Sequence, residues 1–231
     1  MTDLDMLARV RLLRAEGKAP KQIARILGLS PSVVAPLVRA VAAERDEIAL
    51  APSVVGCWVN QGWSLGLSVD PEQGWQDQTN DDESTAGLVC VLLARRHRFD
   101  KVTVCGYLAD VYCLGIKNTY GPEVMSEPEL HRFQPEFFGA FHGWQTADIQ
   151  LARHLIFGAV DYARALGFEP QGEFDEVAGL LGPWTGSSAI TFGKDGRPFY
   201  LSGPYDDPRR ILRTLERTAP GQFEFSLAVE G

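Results

Sequence analysis

The chain has 231 residues, 45% of them apolar and 23% charged, and a formal net charge of −8. This is an ordinary globular composition, long enough to bury a core without disulfides or metals; no apolar run approaches the ~20 residues of a helical membrane span. The charge is uneven: residues 1–47 hold eight basic and six acidic residues, the rest 14 and 24, so a polyanion is expected to meet only the first segment.

The opening residues, Met1-Thr-Asp-Leu-Asp, are acidic and polar. They do not read as a secretory signal, and the expected location is the cytoplasm. Cys57, Cys90, Cys105 and Cys113 sit in apolar surroundings, and no two have zinc-knuckle spacing. Reduced, buried thiols are expected, with no metal site.

A first helix is predicted over Leu4–Glu16, where Leu4, Leu7, Val10 and Leu13 recur every third residue and Gly17 is the stop. Ala19-Pro20 opens a second, with Ile23, Ile26 and Leu27 as its apolar stripe and Gly28 as its end. Ser30-Pro31 opens a third, with Val33, Val34, Leu37, Val38 and Val41 inward, running into Ala42-Ala43-Glu44-Arg45. Three short helices with the turn Gly28-Leu29-Ser30 between the last two fit a helix-turn-helix.

The run 17–34 resembles the helix-turn-helix of resolvases and of the last DNA-binding region of sigma factors. The likeness lies in Ile23-Ala24, in Leu27-Gly28-Leu29-Ser30 and in Val33-Val34. It covers about a fifth of the chain and implies that the third helix enters the major groove of double-stranded DNA. The expected contacts are Lys18, Lys21, Gln22, Ser30, Ser32 and Arg39. A segment of net charge +2 binds weakly alone, because affinity comes mainly from phosphate neutralisation. A homodimer is therefore implied, with half-sites about 34 Å or a multiple apart. Pro36 falls inside the third helix, where proline costs about 3 kcal/mol and is expected to kink it. The exposed positions Ser32, Ala35, Pro36 and Arg39 include no Asn or Gln for adenine, which leaves a protein-docking use of the module open.

Residues 48–86 are expected to be a linker and an acidic loop, with one or two short strands near Trp58 and Trp63. Two β runs follow, Gly87–Ala94 and Val102–Leu114, joined by a polar turn. Helices are predicted from Pro128 towards Phe138, over Ala147–Leu166 and over Phe174–Leu181. Ala189–Ser202 reads as a hairpin turning at Lys194-Asp195-Gly196. Asp206-Asp207-Pro208 caps a helix to about Thr218, and Gln222–Val229 alternates as a last strand.

The expected fold class is α+β: a trihelical module at 1–47, then an α+β domain at 87–231 with an antiparallel sheet and helices grouped on one side. The runs at 106–118, 158–168 and 192–208 are similar to an uncharacterised bacterial family found with helix-turn-helix or cysteine-rich SEC-C segments. That likeness implies no activity and assigns no functional residue.

No P-loop, no G-x-S-x-G and no H-E-x-x-H motif is present, so no cofactor and no catalytic residue is assigned. Asp110 in an apolar strand with Lys117 beyond it resembles the metal-dependent nucleases of the restriction-endonuclease type. Their Asp/Glu-x-Lys triplet is incomplete here, because Gly115-Ile116-Lys117 lacks the acid. A structural Asp110, accepting backbone N–H bonds, is the expectation. The expected function is a DNA-binding regulator or accessory protein whose second domain dimerises, senses a ligand or recruits a protein. The alternatives are a protein adaptor, or an enzyme using a polar cleft of Asp110, Lys117, His131 and His142.

Overall fold

The computed structural model describes residues 3–50, 52–78 and 85–227, with the backbone alone at 3–5, 15 and 42–50. It divides into two units, Met1–Ala51 with Gly182–Gly186, and Pro52–Leu181 with Ser187–Gly231.

The first unit holds α1 (Asp3–Ala15), α2 (Pro20–Leu27) and α3 (Pro31–Leu50). Gly28 ends α2 at φ 65°, a left-handed conformation that glycine adopts without strain. Val10, Ile23, Ala24, Val34 and Val41 form a small core, ringed by half-buried Leu7, Leu13, Leu27, Leu29, Leu37 and Val38. Two members of the predicted stripes are not part of it. Ile26 is 55% and Val33 46% exposed, because the buried side of α2 runs through Ile23, Ala24 and Leu27 and that of α3 through Val34, Leu37, Val38 and Val41, and each of the two residues falls beyond the edge of its helix's buried side. The side chains of Leu4 and of 42–45 lie outside the described residues. α3 is continuous through Pro36, which is exposed; its missing N–H leaves the Ser32 carbonyl without the usual i+4 donor.

The second unit carries β1 (Val54–Asn60), β2 (Ser68–Val69), β3 (Leu88–Arg96), β4 (Lys101–Asp110), β5 (Gly115–Ser126), β6 (Trp144–Thr146), β7 (Ile190–Thr191), β8 (Phe199–Leu201) and β9 (Glu224–Ser226). Its helices are α4 (Glu127–Phe137), α5 (Ile149–Ala165), α6 (Phe174–Leu181) and α7 (Pro208–Thr218). The main sheet is antiparallel in the order β5-β4-β3-β1-β6, so the α+β class with an antiparallel sheet holds.

Period-two alternation divides the sheet's side chains between its faces. Val91 and Leu93 meet Leu155, Ile156 and Ala159 of α5 and Val177 of α6 on one face. Leu92 and Ala94 meet Leu130, Phe133 and Phe138, from and just after α4, on the other. Helices therefore cover both faces, not one. Two buried arginines close the C-terminal end of α6. Arg95 Nε donates to the Leu180 carbonyl, and Arg153 Nε to the Leu181 carbonyl at 2.7 Å, cations on the negative end of a helix.

Several expectations are corrected. β1 pairs with β3 along its length and with β6 at Trp58–Asn60, so residues 54–60 belong to the main sheet and a boundary at 87 would cut the domain. Pro71–Gln78 of the acidic stretch is tied down: Asp77 accepts from Gly62 N, Ser64 N and Ser64 Oγ at 2.8–2.9 Å. Asp81, Asp82 and Glu83 lie outside the described residues. The predicted strand 102–114 ends at Asp110 and turns through Gly115, at φ 70°, into β5. That strand was unforeseen, since Gly121-Pro122 interrupts it, but proline is tolerated where a strand lies at the sheet edge. The hairpin over 189–202 keeps its turn, with Asp195 and Gly196 at φ 52° and 79°, but its arms separate. β7 pairs with β2, and β8 pairs in parallel with β9, because Gly193 N and Phe199 N donate to Val111 and Tyr112 carbonyls. Of the last predicted strand, 228–229 lies outside the described residues.

Candidate functional site: an exposed helical face and a polar cleft

In the first unit the predicted DNA contacts occupy α2, α3 and the turns before them. Lys21, Gln22, Ser30, Ser32 and Arg39 are exposed and Lys18 is half-buried. Several are already engaged. Gln22 Oε1 accepts from Ala19 N at 2.8 Å, closing the start of α2. Ser30 Oγ and Ser32 Oγ lie 2.8 Å apart, and Arg39 Nε donates to the Ala35 carbonyl at 3.3 Å. Lys21 is the outward cation on α2, joined by Arg25, which sequence reasoning passed over and which is also exposed. Its position opposite Ile23 on the α2 wheel would have marked it.

In the second unit the structure gathers two of the four cleft candidates. Asp110, at the end of β4, is buried, and its Oδ1 accepts from Tyr112 N and Cys113 N at 2.9 Å each. It therefore shapes the β4–β5 turn. Burial pushes its carboxyl up to about 6, against the backbone N–H bonds and the nearby Lys117 ammonium, which hold it down. Lys117, on β5, reaches Asp206 at 2.9 and 3.1 Å. The side chain of Asp206 is 3% exposed and that of Lys117 19%. Asp206 also accepts from Gly203 N at 2.8 Å and from Tyr200 Oη at 3.4 Å. Tyr162 Oη, on α5, is buried without a hydrogen-bond partner, and burial followed by Cys113 and Asp110 pushes its ionisation upward.

His131 and His142 are elsewhere. His131 stands exposed on α4, its Nδ1 3.3 Å from Gln134 Oε1. His142 is exposed in the turn before β6. The cluster Asp110, Lys117, Tyr162, Tyr200 and Asp206 replaces the one expected. Asp206 was readable: a helix needs one capping carboxylate, Asp207 supplies it by accepting from Arg210 N, and its neighbour was left over.

Beside this cluster lies a cleft of about 490 Å³, floored by Leu114, Phe168 and Ile211 and rimmed by Gln171, Asp206, Asp207 and Arg210. Its size falls within the range of small-molecule sites. Tyr205, 99% exposed, stands at its mouth. Among the described residues no group of three or more His, Cys, Asp or Glu could hold a metal ion, and no helix is long and apolar enough to cross a membrane.

All four cysteines are buried and unpaired. Burial pushes the Cys57 and Cys90 thiols up to about 12 and Cys105 to about 11. The native protein is expected to leave a thiol reagent unreacted at pH 8 and to yield four thiols in denaturant without reductant. Rapid reaction of a native thiol would show that the sheet opens locally.

Compared with known proteins, the chain matches no family model, no curated protein and no solved structure.

Proposed function

We propose that this protein is a DNA-binding regulator or accessory protein. In this reading α2 and α3 dock on double-stranded DNA, and the acidic unit from Pro52 onward brings two copies together and responds to a small molecule in its cleft. The observation that carries the reading is local: a short α2, a left-handed Gly28, and an α3 that starts three residues later, with Lys21, Arg25, Ser32 and Arg39 turned outward. These are the parts a helix-turn-helix uses to meet phosphates and a major groove. The acidic second unit would be repelled by a polyanion and fits the other roles.

The test is fluorescence anisotropy of the full chain on fragments of duplex DNA over a salt series. Binding is expected to weaken steeply with salt. Lys21→Ala should weaken binding to all sequences and lower the salt slope by about one. Arg39→Ala should reduce preference among sequences. Absence of binding at low salt rejects the reading.

A second reading is favoured by one observation. Ile26 and Val33 are exposed on the same helices, and such β-branched side chains suit a protein contact as well as thymine methyls. If DNA does not bind, docking of a protein on this face takes precedence.

A further inference from the structure

Among the described residues β9 pairs with β8 alone, in parallel, which leaves its other edge open. Glu224 N donates to the Pro198 carbonyl at 2.9 Å, and Ser202 N to the Ser226 carbonyl at 3.0 Å. Residues 224 and 226 therefore turn their backbone groups towards β8. By strand geometry the N–H and C=O of Phe225 point the opposite way, to the open edge. Side chains alternate too, so Phe223, Phe225 and Leu227 share one face. Phe223 packs against the cluster of Tyr200 and Leu215, its ring 6.3 Å from that of Phe225. Phe225 is 51% and Leu227 44% exposed. An apolar stripe thus leaves the core and runs out along an edge that has no lysine, proline or bulge to blunt it.

We propose that this edge pairs antiparallel with β9 of a second copy of the chain, about a two-fold axis at Phe225. The register argues for a second copy. A two-fold at Phe225 sets Glu224 opposite Ser226 of the second copy and Phe223 opposite Leu227 of the second copy, while Phe225 meets its own counterpart. No like charges face each other. The outward backbone groups fall into hydrogen-bonded pairs, as an antiparallel ladder requires. A two-fold at Glu224 would fail twice: it would oppose two carboxylates and aim at the second copy the backbone groups already bonded to β8. The joined sheet has four strands, with Phe223, Phe225 and Leu227 of both copies as one apolar stripe on a single face. This pairing rests on the proposed function for the second copy it supplies, and the two fail separately: a dimer that persists in Phe225→Glu overturns the β9 pairing alone, a single-chain wild type overturns the pairing together with the dimer of that reading, and DNA binding by the full chain is read by its own titration.

Sedimentation of the full chain at micromolar concentration is expected to give twice the chain mass. Phe225→Glu, which sets two like-charged side chains opposite each other on Cα atoms about 5.5 Å apart, should give the single-chain mass with unchanged circular dichroism; Leu227→Lys is the second variant. The register has its own readout. Positions 224 and 226 face each other as a non-hydrogen-bonded pair about 4.5 Å apart, within disulfide reach. The double variant Glu224→Cys, Ser226→Cys should therefore form a covalent dimer on mild oxidation, and Ser226→Cys alone should not. A single-chain wild type, a Phe225→Glu dimer, or equal cross-linking of the single and double variants would each overturn the proposal. If both charge variants unfold, the cross-linking pair decides.

Discussion

Replacing Asp206 with Ala is expected to destabilise the second unit by about 3 kcal/mol, the lower end of the cost of breaking a buried ion pair. The carboxylate is nearly inaccessible and holds three partners: Lys117, Gly203 N and Tyr200 Oη. Its loss strands an ammonium on β5 and frees the segment that leads into α7. Lys117 is 19% exposed, and the water that reaches it keeps the cost from the upper end of the range. For a domain of this size the melting temperature should fall by about 10 °C. Thermal melts of Asp206→Ala, Lys117→Met and the double variant check this. A coupling energy of at least about 1 kcal/mol is expected from the cycle; strict additivity would mean that the pair contributes only as separate packing.

Asp110 should reveal itself through pH. Its carboxyl is raised to about 6 in the folded protein, chiefly by burial, from an ordinary 3.8. Between those values the folded state binds more protons than the unfolded state, so this group's contribution to stability falls as pH rises. The contribution is fully present below about 4 and has gone above about 6. Asp110→Asn retains an acceptor for Tyr112 N and Cys113 N but does not ionise. Compared with the wild type, the Asn variant should therefore gain on the order of 2–3 kcal/mol between pH 4 and pH 7. Denaturant unfolding of both proteins across that range measures the difference, in which the other carboxylates cancel. Parallel profiles would show that Asp110 is ionised in the fold at low pH. Asp110→Ala provides the contrast: it does not ionise either, but it leaves two turn N–H groups without an acceptor, so it should be about 2–4 kcal/mol less stable than Asp110→Asn at every pH.

Much of the local structure is legible because it rests on neighbours in sequence. Gly28 stops α2 and Asp207 caps α7, both as read from the sequence; the Ser126–Glu129 box of α4 and the Asp148 cap of α5 are signals of the same local kind that the reading did not use. Such signals act within one turn of chain. The same reasoning missed β5 and wrongly paired the arms of 189–202 with each other, because strand partners are chosen over long separations. Gly193 and Phe199 have nearby residues to pair with, and bond to the 111–112 turn instead.

The candidate sites divide along the same line. Composition and helix periodicity alone determined a weakly basic trihelical module ahead of an acidic α+β domain, since charge balance and a repeat of three to four residues are properties of the chain itself. Folding alone decided that Lys117 meets Asp206 across 89 positions and not His131 or His142. It also decided that Ile26 and Val33 face outward, and that among the described residues β9 pairs with β8 alone. Each of these depends on which surfaces are covered by elements distant in sequence. The physical reason is that burial is a property of the packed molecule: periodicity shows that a helix has an apolar side, but the width of that side is set by the neighbour that lands on it.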